Sequence, residues 1–219
     1  MNNVPTSSQP ERTYAPCVFV TDDDASVRDA IGFLLQSEQL DHLLCATADE
    51  LLEMVSPQHR GCILLDVRMP GLDGLQAQQA LNERGIRLPV IFISGHADIS
   101  TAVRAVQAGA LDFLEKPFDD ELLLEKVRNA LDLDQSDWEN EHERDDIEQR
   151  IAALTPRERQ VVEGILDCKL NKIIADDLDI SVRTVEIHRA NALDKLGARN
   201  SSEMIRMVLS SHSYRDWLL

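Results

Sequence analysis

From Cys17 to Leu131 short apolar runs alternate with longer amphipathic stretches. Five runs have the length and composition of buried strands: CVFVTD (17–22), HLLCA (42–46), CILLDV (62–67), PVIFISG (89–95) and LDFLEKP (111–117). Helix-like pieces begin between and after them near Ala25, Asp49, Asp73, Asp98 and Asp119, several opened by an acidic residue that suits the positive end of a helix dipole. A fivefold strand–helix repeat of this kind predicts an α/β domain: a parallel sheet with helices on both faces. After Arg150 the pattern becomes wholly helical, which predicts a second, all-α domain. Thr155, Pro156 and Glu158 form a helix-start signal, with Thr as cap, Pro at the first position and Glu at the third.

Within that second region KLNKIIADDL reads as a short helix, DIS as a turn and VRTVEIHRANALDKL as a longer helix, the plan of a helix-turn-helix. On the longer helix Val185, His188, Ala192 and Leu196 share a face that should pack inward. Arg183, Glu186, Ile187, Ala190 and Asp194 share the opposite one. Between the domains, residues 132–150 are dense in acid and poor in apolar anchors, so they form either a solvated helix or a mobile linker. Leu124, Leu131 and Trp138 recur at heptad spacing, but Asp145 breaks the series, and a solvated spacer is favoured over a dimerising coil.

Charge sharpens this division. The net charge of -17 is carried by residues 1–131 (10 Lys/Arg, 20 Asp/Glu) and 132–150 (2 and 9), while residues 151–219 balance at 10 and 10. The C-terminal region is therefore the one least repelled by a polyanion. It is not basic, however, and sequence-independent DNA affinity comes chiefly from Lys and Arg displacing counterions. DNA binding thus calls for two copies acting together. Cys17, Cys45, Cys62 and Cys168 lack CxxC or zinc-finger spacing and read as reduced thiols. The polar N-terminus has no signal-peptide core and no stretch is long and apolar enough to span a bilayer, so a cytoplasmic protein with no membrane partner is expected.

The chemistry gathers at the C-terminal ends of the predicted strands, where open α/β sheets place their ligand crevice. Asp22-Asp23-Asp24, Asp66, Ser94 and Lys116 all fall there. Carboxylates crowded from neighbouring strands repel one another unless a cation neutralises them, and hard oxygen donors suit Mg²⁺. Asp66, projecting from a rigid strand, is placed to act as a nucleophile toward a phosphoryl donor, with Ser94 and Lys116 to hold phosphoryl oxygens. Taken singly, each has an ordinary structural explanation: an Asp that caps a helix, a solvated Lys.

Together, the order DDD, LLDVRMPGLDG, ISG and EKPF resembles the receiver domain of two-component response regulators across nearly all of residues 17–131. The stretches LTPRERQVVEGIL, NKIIADDLDIS and TVEIHRANALDKL resemble the LuxR-type output domain, so the whole chain looks like a FixJ/NarL-type regulator, nearest the FixJ-like branch by VRMPG, FLEKPF and RTVEIHRAN. The resemblance implies a flavodoxin-like (βα)5 receiver at 14–131, an acidic linker at 132–150 and a helix-turn-helix DNA-binding domain at 151–219. It implies that Asp66 is the phosphoacceptor, and that Asp22, Asp23, Asp66 and the backbone carbonyl of Arg68 bind Mg²⁺. Ser94 and Phe113 take the switch positions beside Lys116. Ordinary core packing would account for Phe113 without the family match.

In the output domain the resemblance makes Lys172, Arg183, Thr184 and Arg189 candidate phosphate contacts, with Glu186, Ile187 and Ala190 facing base edges. A Glu accepts from cytosine N4, and Ile or Ala touches a thymine methyl. Two positions depart from the pattern: Glu186 stands where many relatives carry Lys, and Cys168 where they usually carry Gly, a left-handed turn. The implied protein is not an enzyme beyond self-phosphorylation and dephosphorylation at Asp66. A sensor histidine kinase phosphorylates Asp66, and the homodimer that follows binds double-stranded DNA, with RNA polymerase as a further candidate partner. Other readings compete, among them DNA binding that ignores phosphorylation, against which the acid cluster with Ser94 and Lys116 argues. A haloacid-dehalogenase-like phosphatase would need a second Asp at the position of Arg68, and a module whose C-terminal helices bind a protein is kept open by their zero net charge.

Overall fold

The computed structural model describes residues 15–95 and 99–211. The chain divides into two compact units, Met1–Asp137 and Trp138–Leu219. In the first, strands β1 (Cys17–Thr21), β2 (His42–Cys45), β3 (Gly61–Asp66), β4 (Val90–Ser94) and β5 (Asp112–Glu115) alternate with helices α1 (Ala25–Ser37), α2 (Ala48–Met54), α3 (Gly74–Glu83) and α4 (Ile99–Gln107). A long helix α5 (Asp120–Ala152) follows. All four strand pairings are parallel and the order is β2-β1-β3-β4-β5, the flavodoxin-like topology. All five predicted strands form. The predicted helix start near Asp98 lies outside the described residues.

The apolar pattern explains the layering. Every residue of β3 is buried, and alternation sends Ile63 and Leu65 to one face and Cys62 and Leu64 to the other. The first face meets α2 and α3 through Leu51, Leu52, Ala77 and Leu81; the second meets α1 and α5 through Ile31, Leu35, Leu123 and Val127. Each of the Leu, Ile and Val side chains among these, fully buried, contributes roughly 1.5–3 kcal/mol. The helices begin where local chemistry satisfies their free N–H groups. Asp24 caps α1, Thr47 caps α2, and Asp73 caps α3 in a reciprocal capping box with Gln76.

Residues 132–150, for which helix and mobile linker were both open, are helical throughout as part of α5. In the second unit the last turns of α5 join α6 (Pro156–Leu166), α7 (Asn171–Leu178), α8 (Val182–Leu196) and α9 (Ser201–Ser210) around Ile151, Val162, Ala192, Leu196, Met204 and Val208. Thr155 and Glu158 form the predicted capping box with Pro156 in the first turn. The helix-turn-helix is α7, a turn at Asp179–Ser181, and α8 capped by Ser181. All four cysteines are free thiols, and burial raises Cys62 to about 12, leaving it unreactive. Among the described residues no helix is long and apolar enough to cross a membrane.

Candidate functional site

The strand order reverses between β1 and β3, so the chain leaves the C-terminal ends of these adjacent strands in opposite directions and opens a crevice there. Asp22 follows β1 directly and Asp66 ends β3. The carboxylates of Asp22, Asp23 and Asp66 each present an oxygen within 4.8 Å of the others, with Asp22 and Asp66 buried and Asp23 exposed. Lys116, just past β5, reaches in: its Nζ lies 2.5 Å from Asp22 Oδ2 and 3.5 Å from Asp66 Oδ1. This is an acidic cluster compatible with a divalent cation, built of the hard oxygen donors that such ions take. One ammonium does not balance three carboxylates, which is the electrostatic reason the cluster favours a cation.

Burial sets the state of Asp66. Its removal from water pushes its pKa up to about 6; Lys116 opposes the shift, and the charges of Asp22 and Asp23 add to it. A cation at the cluster would reverse the balance and favour the charged carboxylate. Asp22 is also tied to the residues that follow it, since its backbone carbonyl accepts from Arg28 Nη1 at 2.6 Å and its Oδ1 from the Asp24 N–H at 3.0 Å. Asp24 turns away from the cluster. Its carboxylate caps α1, and the hydrogen bonds from Ser26 keep it below the usual carboxylate range.

Ser94 is buried at the end of β4, paired in register with Glu115, and its carbonyl accepts from the Lys116 N–H at 2.8 Å. Phe113 is half-buried in β5 beside Phe92 and packs against the α2–α3 side of the core. Arg68 lies with its side chain exposed in the loop between β3 and α3. Motif reasoning did not single out Gly74, yet a Cβ there would sit 2.2 Å from the Asp66 carbonyl oxygen. Only glycine lets α3 start this close to the end of β3. The Asp73-Gly74 pair in LDG was the available signal.

On α8 the predicted division holds: Val185, Ala192 and Leu196 are buried and His188 is half-buried, while Arg183, Glu186, Ile187, Ala190 and Asp194 are exposed. Lys172 on α7 is exposed as well. Several of these side chains already have protein partners. Arg183 Nη1 pairs with Glu186 at 3.3 Å, the Thr184 hydroxyl bonds Ser181 Oγ at 2.8 Å, and Arg189 Nη2 donates to Ser201 Oγ at 2.6 Å. Cys168 has a φ of 57°, the left-handed conformation of the glycine turn, and ends α6 with Lys169 N–H donating to the Gly164 carbonyl.

The family model for the response regulator receiver domain matches residues 18–128, and that for bacterial regulatory proteins of the luxR family matches residues 152–208. The transcriptional regulatory protein FixJ of Azorhizobium caulinodans is 45% identical over 192 residues, covering 88% of this chain and 91% of that one. FixJ of Bradyrhizobium diazoefficiens is 39% identical over 199 residues, covering 91% and 97%. Among solved structures, the response regulator StyR matches with a TM-score of 0.82 at 38% identity, covering 89% of this chain and 98% of that one. Full-length FixJ from B. japonicum matches with a TM-score of 0.55 at 38% identity, covering 94% and 100%.

Proposed function

This chain belongs to the FixJ-like response regulators, two-component transcription factors with a receiver and a LuxR-type DNA-binding domain, and from that premise we propose that Asp66 is its phosphoacceptor. A phosphorylated histidine of a sensor kinase donates: the P–N bond breaks as a bond forms from phosphorus to an Asp66 carboxylate oxygen, and the imidazole leaves as a neutral ring once protonated. Asp22, Asp23, Asp66 and the Arg68 carbonyl would hold Mg²⁺. When bound, that ion supplies charge neutralisation between carboxylates and phosphoryl oxygens. Lys116 pairs with one phosphoryl oxygen as a compact cation and the Ser94 hydroxyl donates to another. Ser94 and Phe113 rearrange together, biasing a two-state receiver. Self-phosphorylation from small donors and slow dephosphorylation at Asp66 are the only covalent chemistry in this reading.

The modified receiver pairs with a second copy through the face of α4 and β5, where Val103, Val106 and Leu111 stand exposed. Two helix-turn-helix units then occupy DNA half-sites, with RNA polymerase as a further partner, in the cytoplasm. Lys172, Arg183, Thr184 and Arg189 meet phosphates, and Glu186, Ile187 and Ala190 meet base edges. The protein bonds of Arg183 and Arg189 do not prevent this, because a guanidinium has five N–H donors.

The observation that carries the reading is the convergence of three carboxylates and the Lys116 ammonium at the point where strand order reverses. Mass spectrometry after incubation with acetyl phosphate and Mg²⁺ should find one phosphoryl group, on Asp66, and none in Asp66→Asn. Label on another residue, or label surviving in Asp66→Asn, would sink it. A gel shift with genomic DNA fragments, with and without acetyl phosphate, tests the output half.

A further inference from the structure

The strand that carries Asp66 at one end holds the long helix at the other. Arg60 immediately precedes β3 and is buried; its Nε donates to Asp134 Oδ2 at 2.7 Å and its Nη2 to Gln135 Oε1 at 2.9 Å. Both acceptors lie on α5. The apolar seam of that helix on the receiver runs Leu123, Val127, Ala130, all buried, and one further turn along the same stripe brings Asp134, 8% exposed, in place of another apolar residue. The compact receiver unit ends three residues later, at Asp137. Asp134 is therefore the last buried anchor of α5 on the receiver.

An apolar residue at this position would have been the cheaper solution, since burying an ion pair costs desolvation that its attraction only partly offsets. What an ion pair provides instead is registry. Leu and Val side chains tolerate a helix that rotates or slides, because they repack. The planar fork of Arg60 fits a carboxylate and an amide at one rotation of α5 only. Further along the same helix, Ile147 and Ile151 pack into the core of the output unit, and Arg150 donates to the Leu196 carbonyl at the end of α8 while paired with Asp146. The helix is thus gripped by a guanidinium within each unit.

We propose that Arg60 is a positioning residue, which with Asp134 locks the rotation of α5 on the receiver so that modification of Asp66 at the far end of β3 alters DNA binding. This rests on the reading of Asp66 as phosphoacceptor. The test uses the full chain and the DNA fragment that the phosphorylated wild type shifts. Arg60→Met alone leaves Asp134 without its guanidinium partner and threatens folding; Arg60→Met/Asp134→Leu replaces the ion pair by apolar packing and removes the lock. The double variant should melt at or above the wild type and take label on Asp66 to the same extent. Its gain in DNA affinity on adding acetyl phosphate should fall from on the order of tenfold to under about threefold, and Arg60→Lys, which keeps the charge on Asp134, should recover part of it. A double variant that folds, is labelled and keeps the wild-type gain overturns the proposal. A wild type that is labelled but shows no gain, or is not labelled at all, overturns the functional reading on which it stands.

Discussion

At the ends of β1, β3 and β5 the buried carboxylates of Asp22 and Asp66 are crowded against one ammonium beside the exposed Asp23, whereas on α8 Arg183 and Glu186 stand in solvent and pair with each other a turn apart. The first arrangement stores electrostatic cost in a rigid frame that a cation or a phosphoryl group can relieve. The second stores almost nothing, since exposed pairs such as Arg183 and Glu186 are worth ~0–1 kcal/mol and exchange readily for other partners. The crevice suits a covalent switch and the helix face suits a reversible reader. Perturbations in the first region should accordingly be large and mostly about stability or chemistry; in the second, small and mostly about affinity.

The largest effect expected is from a single methyl group. Gly74→Ala places a Cβ against the backbone of Asp66, which cannot yield without moving β3, and denaturant unfolding should show a loss of about 3 kcal/mol or more. The same change in the output domain, Gly164→Ala, meets the Ile174 side chain at 2.7 Å, which can rotate, and should cost about 1–2 kcal/mol. If the order is reversed, the receiver frame is not the stiffer of the two.

Next comes the charge on Asp66. Its folded pKa of about 6 lies above the ordinary aspartate value of 3.8, so the stability contributed by the protonated form is fully present below pH ~4 and is lost as pH rises through 6. In the absence of divalent cations Asp66→Asn should therefore be more stable than the wild type by about 1–3 kcal/mol at pH 7. That advantage should shrink as pH falls from 7 to 5, and Mg²⁺ should narrow it at pH 7 by stabilising only the wild type. An advantage independent of pH would mean that burial of Asp66 is not the cause.

Cys168 supplies a smaller test. A non-glycine residue at φ 57° is strained, so Cys168→Gly should raise thermal stability by ~1 kcal/mol without altering labelling at Asp66. The smallest effect concerns the reader. Glu186→Lys removes a negative charge and adds a positive one on the exposed face of α8, so non-specific DNA binding should strengthen and the salt dependence of binding should steepen by ~1–2 phosphate contacts per subunit. Unchanged salt dependence would place this face away from the DNA.

The fold was legible because both periodicities were clean. Runs such as CILLD and VIFIS leave no doubt about buried parallel strands, and Thr155-Pro156 with Glu158 names a helix start from three letters. The candidate site was legible for the same reason: Asp22, Asp66 and Lys116 each end or follow such a run, the ends of β1 and β3 are adjacent, and the long Lys116 side chain reaches in from beyond β5. The reader was legible only as a face. Exposure follows from helical spacing, but the pairing of Arg183 with Glu186 and the tie from Arg189 to Ser201 depend on rotamers and on the approach of α9, which no local pattern encodes.

Outside residues 132–150, the sequence alone determined which runs become strands and helices, which faces are apolar and which acids stand at strand ends, because these follow from short-range periodicity and chain connectivity. Tertiary structure decided that Asp24 caps a helix while Asp22 and Asp23 join Asp66, that residues 132–150 are helical, and that Arg60 meets Asp134 across 74 positions of sequence. Those outcomes turn on where distant segments place charge and volume next to one another in a low-dielectric interior. There the partner that happens to be in reach, and not the residue's own preference, sets its role.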